Sequence, residues 1–130
     1  MTDNRPTPKA LNIALWIVQA ILSISFIWAF YMKFFSSEAE LAKMWPWTAE
    51  NQILVRVTGV LDGLAGLGLV LPWFLNILPK LTIYTAYATI VLMIVAILFH
   101  VSRGESSQIG INIFFAISAI FIIWGRQRER

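Results

Sequence analysis

The sequence predicts an all-α integral membrane protein, a four-helix bundle that runs up and down through the bilayer. The chain of 130 residues is 58% hydrophobic but only 13% charged, whereas a soluble domain carries about a quarter charged residues. Its mean hydropathy is +0.73. Four apolar segments reach or approach the roughly 20 residues that cross a hydrocarbon core. Composition therefore excludes a disordered chain and argues against a soluble domain of this size.

The four predicted spans follow one another with short connections. The first runs from Ala10 to Met32, the second from Gln52 to Leu71, where Pro72 closes it, and the third from Leu81 to Val101. The fourth, from Gln108 to Gly125, is the shortest. Short connections favour antiparallel neighbours. We read the first span as a retained helix, since it is too long for the apolar region of a signal peptide.

Basic residues near the helix ends predict the orientation. Residues 1–9 are expected to form a flexible tail, and residues 126–130 form a basic tail. With four spans, both tails share one side with the second connection. Six lysines and arginines belong to that side: Arg5, Lys9, Lys80, Arg126, Arg128 and Arg130. Four belong to the other: Lys33, Lys43, Arg56 and Arg103. The excess predicts that both termini are cytoplasmic.

The absence of cysteine restricts the chemistry that this chain can provide. It excludes disulfides, thiolate metal sites and cysteine nucleophiles, and a single histidine provides no multi-histidine site. We therefore predict no metal site and no built-in cofactor. A redox role would need a bound cofactor or another subunit. The glycine-rich stretch of the second span has no strand before it, so nucleotide binding is not expected. The net charge of +3 comes from basic residues near the predicted helix ends and does not indicate nucleic-acid binding.

Asp62 is the clearest ionisable residue inside a span. A charged side chain there is energetically costly, and it is found mainly at functional sites or in buried pairs. Asp62 lies about 15 Å from the outer end of the second span at 1.5 Å per residue. Gly59, Gly63 and Gly66 form a stripe beside it, and such a stripe lets another helix approach closely. Arg56 flanks the other edge of the stripe. Asp62 is thus predicted at a helix–helix seam, as a structural partner or as part of a ligand or proton site.

His100, the single histidine, ends the third span on the outer side. It shares one helical sector with Thr82, Thr85, Thr89, Met93 and Ala96. This stripe predicts that His100 faces the bundle. The threonine hydroxyls could instead bond back to their own helix, so the stripe alone does not establish a cavity. A hydrogen-bonding cap remains the alternative role for the histidine.

The end of the first span and the loop after it contain further candidates. Lys33 either joins the bundle interior or snorkels to the interface. Trp45 and Trp47 flank a proline and suit either interfacial anchoring or ligand stacking. Taken together, we predict a largely cationic binding pocket in the outer half, suited to an anionic or quinone-like ligand with an apolar body. Its predicted ligand-binding residues are Lys33, Arg56, Asp62, His100 and Arg103, with Gln108 and Asn112 as further candidates.

These residues resemble the DoxX-like family. The stretch from Val57 to Pro72, with Asp62 before a glycine-rich apolar run, looks like the second-helix signature of that family. Lys33 matches the family's lysine, Trp45-Pro46-Trp47 resembles its outer-loop segment, and His100 with Arg103-Gly104-Glu105 resembles its third-helix end. The resemblance covers residues 11–125. One departure is Asp62, where the family usually has glutamate.

The resemblance implies a four-helix protein of a bacterial inner membrane. Founding members of the family are described as a subunit of a thiosulfate:quinone oxidoreductase. The leading interpretation is an accessory or anchoring subunit of a larger membrane complex, with other subunits or further copies of the chain as partners beside the lipid bilayer. The alternatives are a quinone-linked oxidoreductase component acting on a small sulfur anion, with a quinone as possible cofactor, and a small transporter or lipid-handling protein. Whether the chain is an enzyme stays open.

Overall fold

A computed structural model describes residues 8–127, apart from the side chain of Gln108, and these residues form an all-α bundle. The helices, in chain order, are α1 (Lys9–Phe35), α2 (Glu38–Met44), α3 (Gln52–Gly68), α4 (Leu71–Leu75), α5 (Lys80–Ser102) and α6 (Gly110–Gln127). Two 3-10 turns, Pro46–Glu50 and Ser106–Gln108, precede α3 and α6. Residues 1–7 of the predicted N-terminal tail and residues 128–130 of the C-terminal one lie outside the described residues.

Four stretches within residues 8–127 are long and apolar enough to cross a membrane. They are α1, the stretch Gln52–Leu75 that joins α3 to α4, α5 and α6, with mean hydropathies between 1.4 and 2.2. Large apolar side chains cover the outside of the bundle, among them Ile24, Phe74 and Leu98, each more than 60% exposed. Contact of so large an apolar surface with water is unfavourable, whereas lipid tails are as apolar as these side chains. The predicted class, an all-α membrane bundle, is confirmed.

The four long helices pack in a ring of neighbours. Helix α1 packs against α3 and α6, while α5 packs against α6 and α3. Fully buried apolar side chains, including Leu22, Ala86, Ala119 and Ile122, fill the space between them. The start of α1 and the end of α6 share one end of the bundle, which we call the terminal end. The connections α1–α3 and α5–α6 lie at the opposite end, the loop end.

The predicted glycine stripe of α3 lies against α1. A methyl group added at Gly66 would approach Cγ1 of Ile27 to 2.6 Å and the backbone oxygen of Ser23 to 3.0 Å. The Ser23 hydroxyl also donates a 2.6 Å hydrogen bond to the Gly66 carbonyl. Gly59 and Gly63 face aromatic rings of α1 in the same way. The seam therefore depends on close backbone approach, which only glycine allows here.

Replacing Gly66 by alanine is expected to destabilise the bundle by about 1–3 kcal/mol, because the backbone oxygen of Ser23 cannot move aside as a side chain can. The matched control is Gly110→Ala, since a methyl group there meets nothing within 4 Å. Reversible unfolding in mixed micelles compares the two. Equal stability of both variants would contradict close packing at this seam.

Three helix ends differ from the sequence prediction. Helix α3 stops at Gly68, and Pro72 lies in the first turn of the short α4, a position where proline's missing N–H leaves no hydrogen bond unmade. Helix α1 continues to Phe35 and so includes Lys33. Helix α6 begins at Gly110 and reaches Gln127. Arg126, predicted in the basic tail, thus belongs to the last turn of α6 and is fully buried.

Candidate functional site

A cavity of about 580 Å³ lies at the loop end of the bundle. All four long helices and the segment after α2 line it. From α1 and that segment come Ile24, Ser25, Phe26, Trp28, Ala29, Lys33, Trp45 and Trp47. From α3, α5 and α6 come Leu54, Thr58, Asp62, Leu92, Met93, Val95, Ala96, Phe99, His100, Ile111, Asn112 and Phe115. The volume suits a small organic molecule, since ligand pockets usually measure about 300–1,000 Å³.

Polarity changes along the length of this cavity. Lys33, His100 and Asn112 lie on the turns of their helices nearest the loop end. Phe26 and Met93, about two turns further into the bundle, are buried apolar side chains. The cavity thus has a polar upper part toward the loops and an apolar lower part toward the bundle centre.

An ion pair between α1 and α3 forms the polar centre. Nζ of Lys33 donates to Oδ2 of Asp62 at 2.7 Å and to the Thr58 hydroxyl at 3.0 Å. The two charged side chains are only 9% and 7% exposed. Lys33 therefore points into the bundle rather than snorkelling to the interface. Its long side chain reaches down to the deeper carboxylate, so each charge has its counterion.

Two indole rings cover the lysine. Nζ of Lys33 lies 5.6 Å from the ring centre of Trp45 and 5.5 Å from that of Trp47, within cation–π range. Pro46 starts the 3-10 turn that carries Trp47. Trp47 is anchored in a small apolar cluster with Leu41 of α2 and Val55 of α3. The predicted headgroup-level turn is thus a folded cap over the cavity, and its tryptophans line the site.

His100 reaches the site from the end of α5. Its Nδ1 lies 2.8 Å from Oε1 of Glu105, and since a carboxylate only accepts, Nδ1 carries the proton. Nε2 is then the ring nitrogen free for a ligand. Hydrogen bonds from His100 and Arg103 lower the pKa of the Glu105 carboxyl, which keeps it ionised. Glu105 was not among the predicted site residues, although it stands in the motif that suggested the family.

The structure brings Lys33, Asp62 and His100 together and leaves the two predicted arginines outside the lining. Arg56 is exposed on α3 and lies over the ring of Phe34. Arg103 pairs with Glu105 at 3.2 Å. The lining therefore carries one positive and one negative charge, which cancel. Arg56 and Arg103, which contributed to the predicted cationic character, are not among the side chains that line the cavity.

Only part of the polar stripe on α5 faces the cavity. The hydroxyls of Thr85 and Thr89 donate to backbone carbonyls one turn earlier in the same helix, each at 2.8 Å. Met93, Ala96 and His100 do line the cavity. Back-bonding, the alternative considered for the threonines, is what the structure shows for Thr85 and Thr89, whereas the buried Thr82 hydroxyl makes no hydrogen bond within residues 8–127.

A second polar cluster, which we call the arginine plug, closes the terminal end. Nε of Arg126 donates to Oε1 of Gln19 at 2.7 Å, and its Nη1 donates to Oδ1 of Asn12 at 2.8 Å. The guanidinium also lies 5.1 Å from the Trp16 ring and 4.8 Å from the Trp73 ring. The polar face of α1 signalled this cluster, but the assignment of Arg126 to a tail hid its partner.

Gln19 extends the plug to a third helix segment. Its Nε2 donates to the backbone carbonyl of Leu69 at 2.7 Å, where α3 has just ended. The glutamine thus donates to a backbone carbonyl just beyond the helix end, where carbonyls commonly need partners from outside the helix. The plug therefore holds α1, α6 and the α3–α4 junction together.

Metal ligation finds no support in the described part of the chain. Among residues 8–127, no group of three histidine, aspartate or glutamate side chains could hold an ion. His100 and Glu105 already bond each other, and Asp62 bonds Lys33.

Comparisons with known proteins agree with the residue pattern. The family model described as "DoxX-like family" matches residues 17–122. This range includes Lys33, Asp62 and His100 and reaches into α6. Searches of curated proteins and of solved structures gave no match. The family model covers well over half of the sequence, so the chain belongs to the DoxX-like family.

Proposed function

We propose that the protein is a membrane-embedded binding protein for a neutral, largely apolar small molecule with a hydrogen-bond-accepting head. A quinone is the ligand that fits best. The observation that carries this proposal is the cavity at the loop end, polar above and apolar below, in which the two charges of the lining cancel.

Charge balance favours a neutral ligand over an anion. A small anion entering the cavity would lose its hydration and would meet a lysine already paired with Asp62. Burial without a free counterion is strongly unfavourable. The thiosulfate-like ion considered from the family resemblance is therefore the weaker candidate for this cavity.

The hydrogen-bond donors in the lining suit carbonyl oxygens. Lys33 uses two of its three N–H groups on Thr58 and Asp62, which leaves one for a ligand. The Asn112 side chain contributes an amide N–H as a second donor. A quinone ring offers acceptors at opposite edges, and the aromatic lining provides contact for its face.

Blocking the cavity tests this proposal. Coenzyme Q1, a quinone with one isoprene unit, is titrated into the protein in nanodiscs, and tryptophan quenching reports binding. Ala96 lines the cavity whereas Ala88, on the same helix, is exposed and outside it. We expect Ala96→Phe to weaken binding about ten-fold or more, and Ala88→Phe to leave it unchanged. Equal quenching in both variants, or saturable binding of thiosulfate instead, would overturn the proposal.

Partnership in a larger complex remains a prediction. A cavity that holds a quinone in the membrane would suit an accessory subunit that presents this quinone to a catalytic partner. Purification in mild detergent distinguishes an accessory subunit from a small transporter or lipid-handling protein. A soluble oxidoreductase in stoichiometric amount supports the accessory role, whereas a homo-oligomer alone supports the transporter or lipid-handling alternative.

We also propose that the loop end faces the periplasm of a bacterial inner membrane, with both termini cytoplasmic. The chain has no cysteine, so single-cysteine labelling needs no background removal. A membrane-impermeant maleimide should label Ser107→Cys at the loop end in intact cells, but Ile77→Cys only after lysis. The reverse pattern would overturn the orientation.

A further inference from the structure

The cavity lining contains four strongly exposed side chains, and all four are apolar. They are Ile24 and Trp28 on α1, Val95 on α5 and Ile111 on α6, between 49% and 68% exposed. All belong to helices long and apolar enough to cross the membrane. A cavity wall made of exposed apolar side chains within the spans faces hydrocarbon rather than water.

The other sides of the cavity are closed. Glycine packing seals α1 against α3. Trp47 packs edge-on against Phe99 at 5.8 Å and closes the upper end between the cap and α5. Buried Phe26 packs on Phe115 at 5.2 Å and forms the floor. Below this floor lie the buried core and the arginine plug.

We propose that the cavity opens sideways into the bilayer, between α1 on one side and α5 and α6 on the other. Its ligand is then a membrane-dissolved amphiphile whose head enters from the lipid while a long tail stays outside among the acyl chains. This inference rests on the proposed function and adds the class of ligand, a tailed lipid-soluble molecule, and its route of entry.

The polarity of the site gives the ligand one orientation. The head lies in the upper part near Lys33 and His100, and the tail leaves past Ile24 and Ile111. Trp28 stands at the junction of opening and cap, since its ring packs against Trp45 at 5.7 Å. A tail in this position exchanges lipid contacts for similar apolar contacts, so its length should hardly affect affinity.

Tail length therefore tests the opening. Coenzyme Q1 and coenzyme Q10, which share a head group but carry one and ten isoprene units, are compared in nanodiscs at matched mole fraction in lipid. We expect their affinities to agree within about three-fold. Ile111→Phe, at the opening, should weaken Q10 more than Q1. Ile113→Phe, equally on α6 but outside the lining, should change neither.

The outcomes separate this inference from the proposed function. Binding of Q1 with exclusion of Q10 would mean a closed or water-facing site, which overturns the sideways opening and leaves the quinone site intact. Equal effects of Ile111→Phe and Ile113→Phe would also overturn the opening. Failure of both quinones to bind would overturn the proposed function, and the inference with it.

Discussion

Replacing Asp62 by asparagine is expected to destabilise the bundle by about 3–5 kcal/mol, the usual cost of removing one partner from a buried ion pair. Lys33 would keep its contact with Thr58 and the two indoles, but its charge would have no counterion. Reversible unfolding in mixed micelles measures the loss.

The double variant Lys33→Met with Asp62→Leu is the comparison that decides whether the lost stability comes from an unpaired charge. It removes both charges, so we expect most of the lost stability to return, as it often does when apolar side chains replace a buried pair. Lys43→Met, at an exposed lysine of α2, controls for loss of a surface charge. An asparagine variant as stable as the parent would show that the pair does not hold the seam.

Replacing Arg126 by methionine is expected to produce the second large loss. The change leaves Oε1 of Gln19 and Oδ1 of Asn12 without the donors that now satisfy them, at about 1–3 kcal/mol for each acceptor. Two ring contacts with tryptophans are lost as well. Arg126→Lys should be more stable than Arg126→Met but less stable than the parent. A lysine ammonium does not reproduce the planar guanidinium, whose N–H groups reach Gln19 and Asn12 at the same time.

Arg56→Met is the matched control for the arginine plug. Arg56 is exposed and contacts only the face of Phe34 among the interactions of the described residues, so its replacement should change stability by less than about 1 kcal/mol. If Arg126→Met and Arg56→Met unfold alike, the plug does not close the terminal end. Quinone affinity should stay unchanged in both variants, because neither residue lines the cavity.

Composition and spacing predicted much of this molecule. Four apolar segments within a few residues of the observed helices were enough to predict the fold, because the thickness of the bilayer fixes helix length. The rarity of charge in a span singled out Asp62, and helical periodicity placed His100 toward the interior. Glycine spacing predicted which face of α3 meets another helix.

Other features depend on contacts that spacing along the chain does not contain. Lys33 could reach the interface or the interior from the same helix position, and only the neighbouring Asp62 and the two indoles decide between them. Arg56 and Arg103 count as outer-half cations in sequence but lie outside the cavity. The contact of Arg126 with Gln19 could not be predicted, because a helix end rich in basic residues looks like a tail in sequence.

Mapping where a quinone head binds tests the central claim most directly. A photoreactive azidoquinone is irradiated with the protein in nanodiscs, and the modified peptides are sequenced. Adducts should lie within residues 24–33 of α1, on the cap tryptophans and within residues 92–100 of α5, and excess coenzyme Q1 should suppress them. Adducts spread over the outward faces of the helices, unaffected by competitor, would contradict a quinone site between Lys33 and His100.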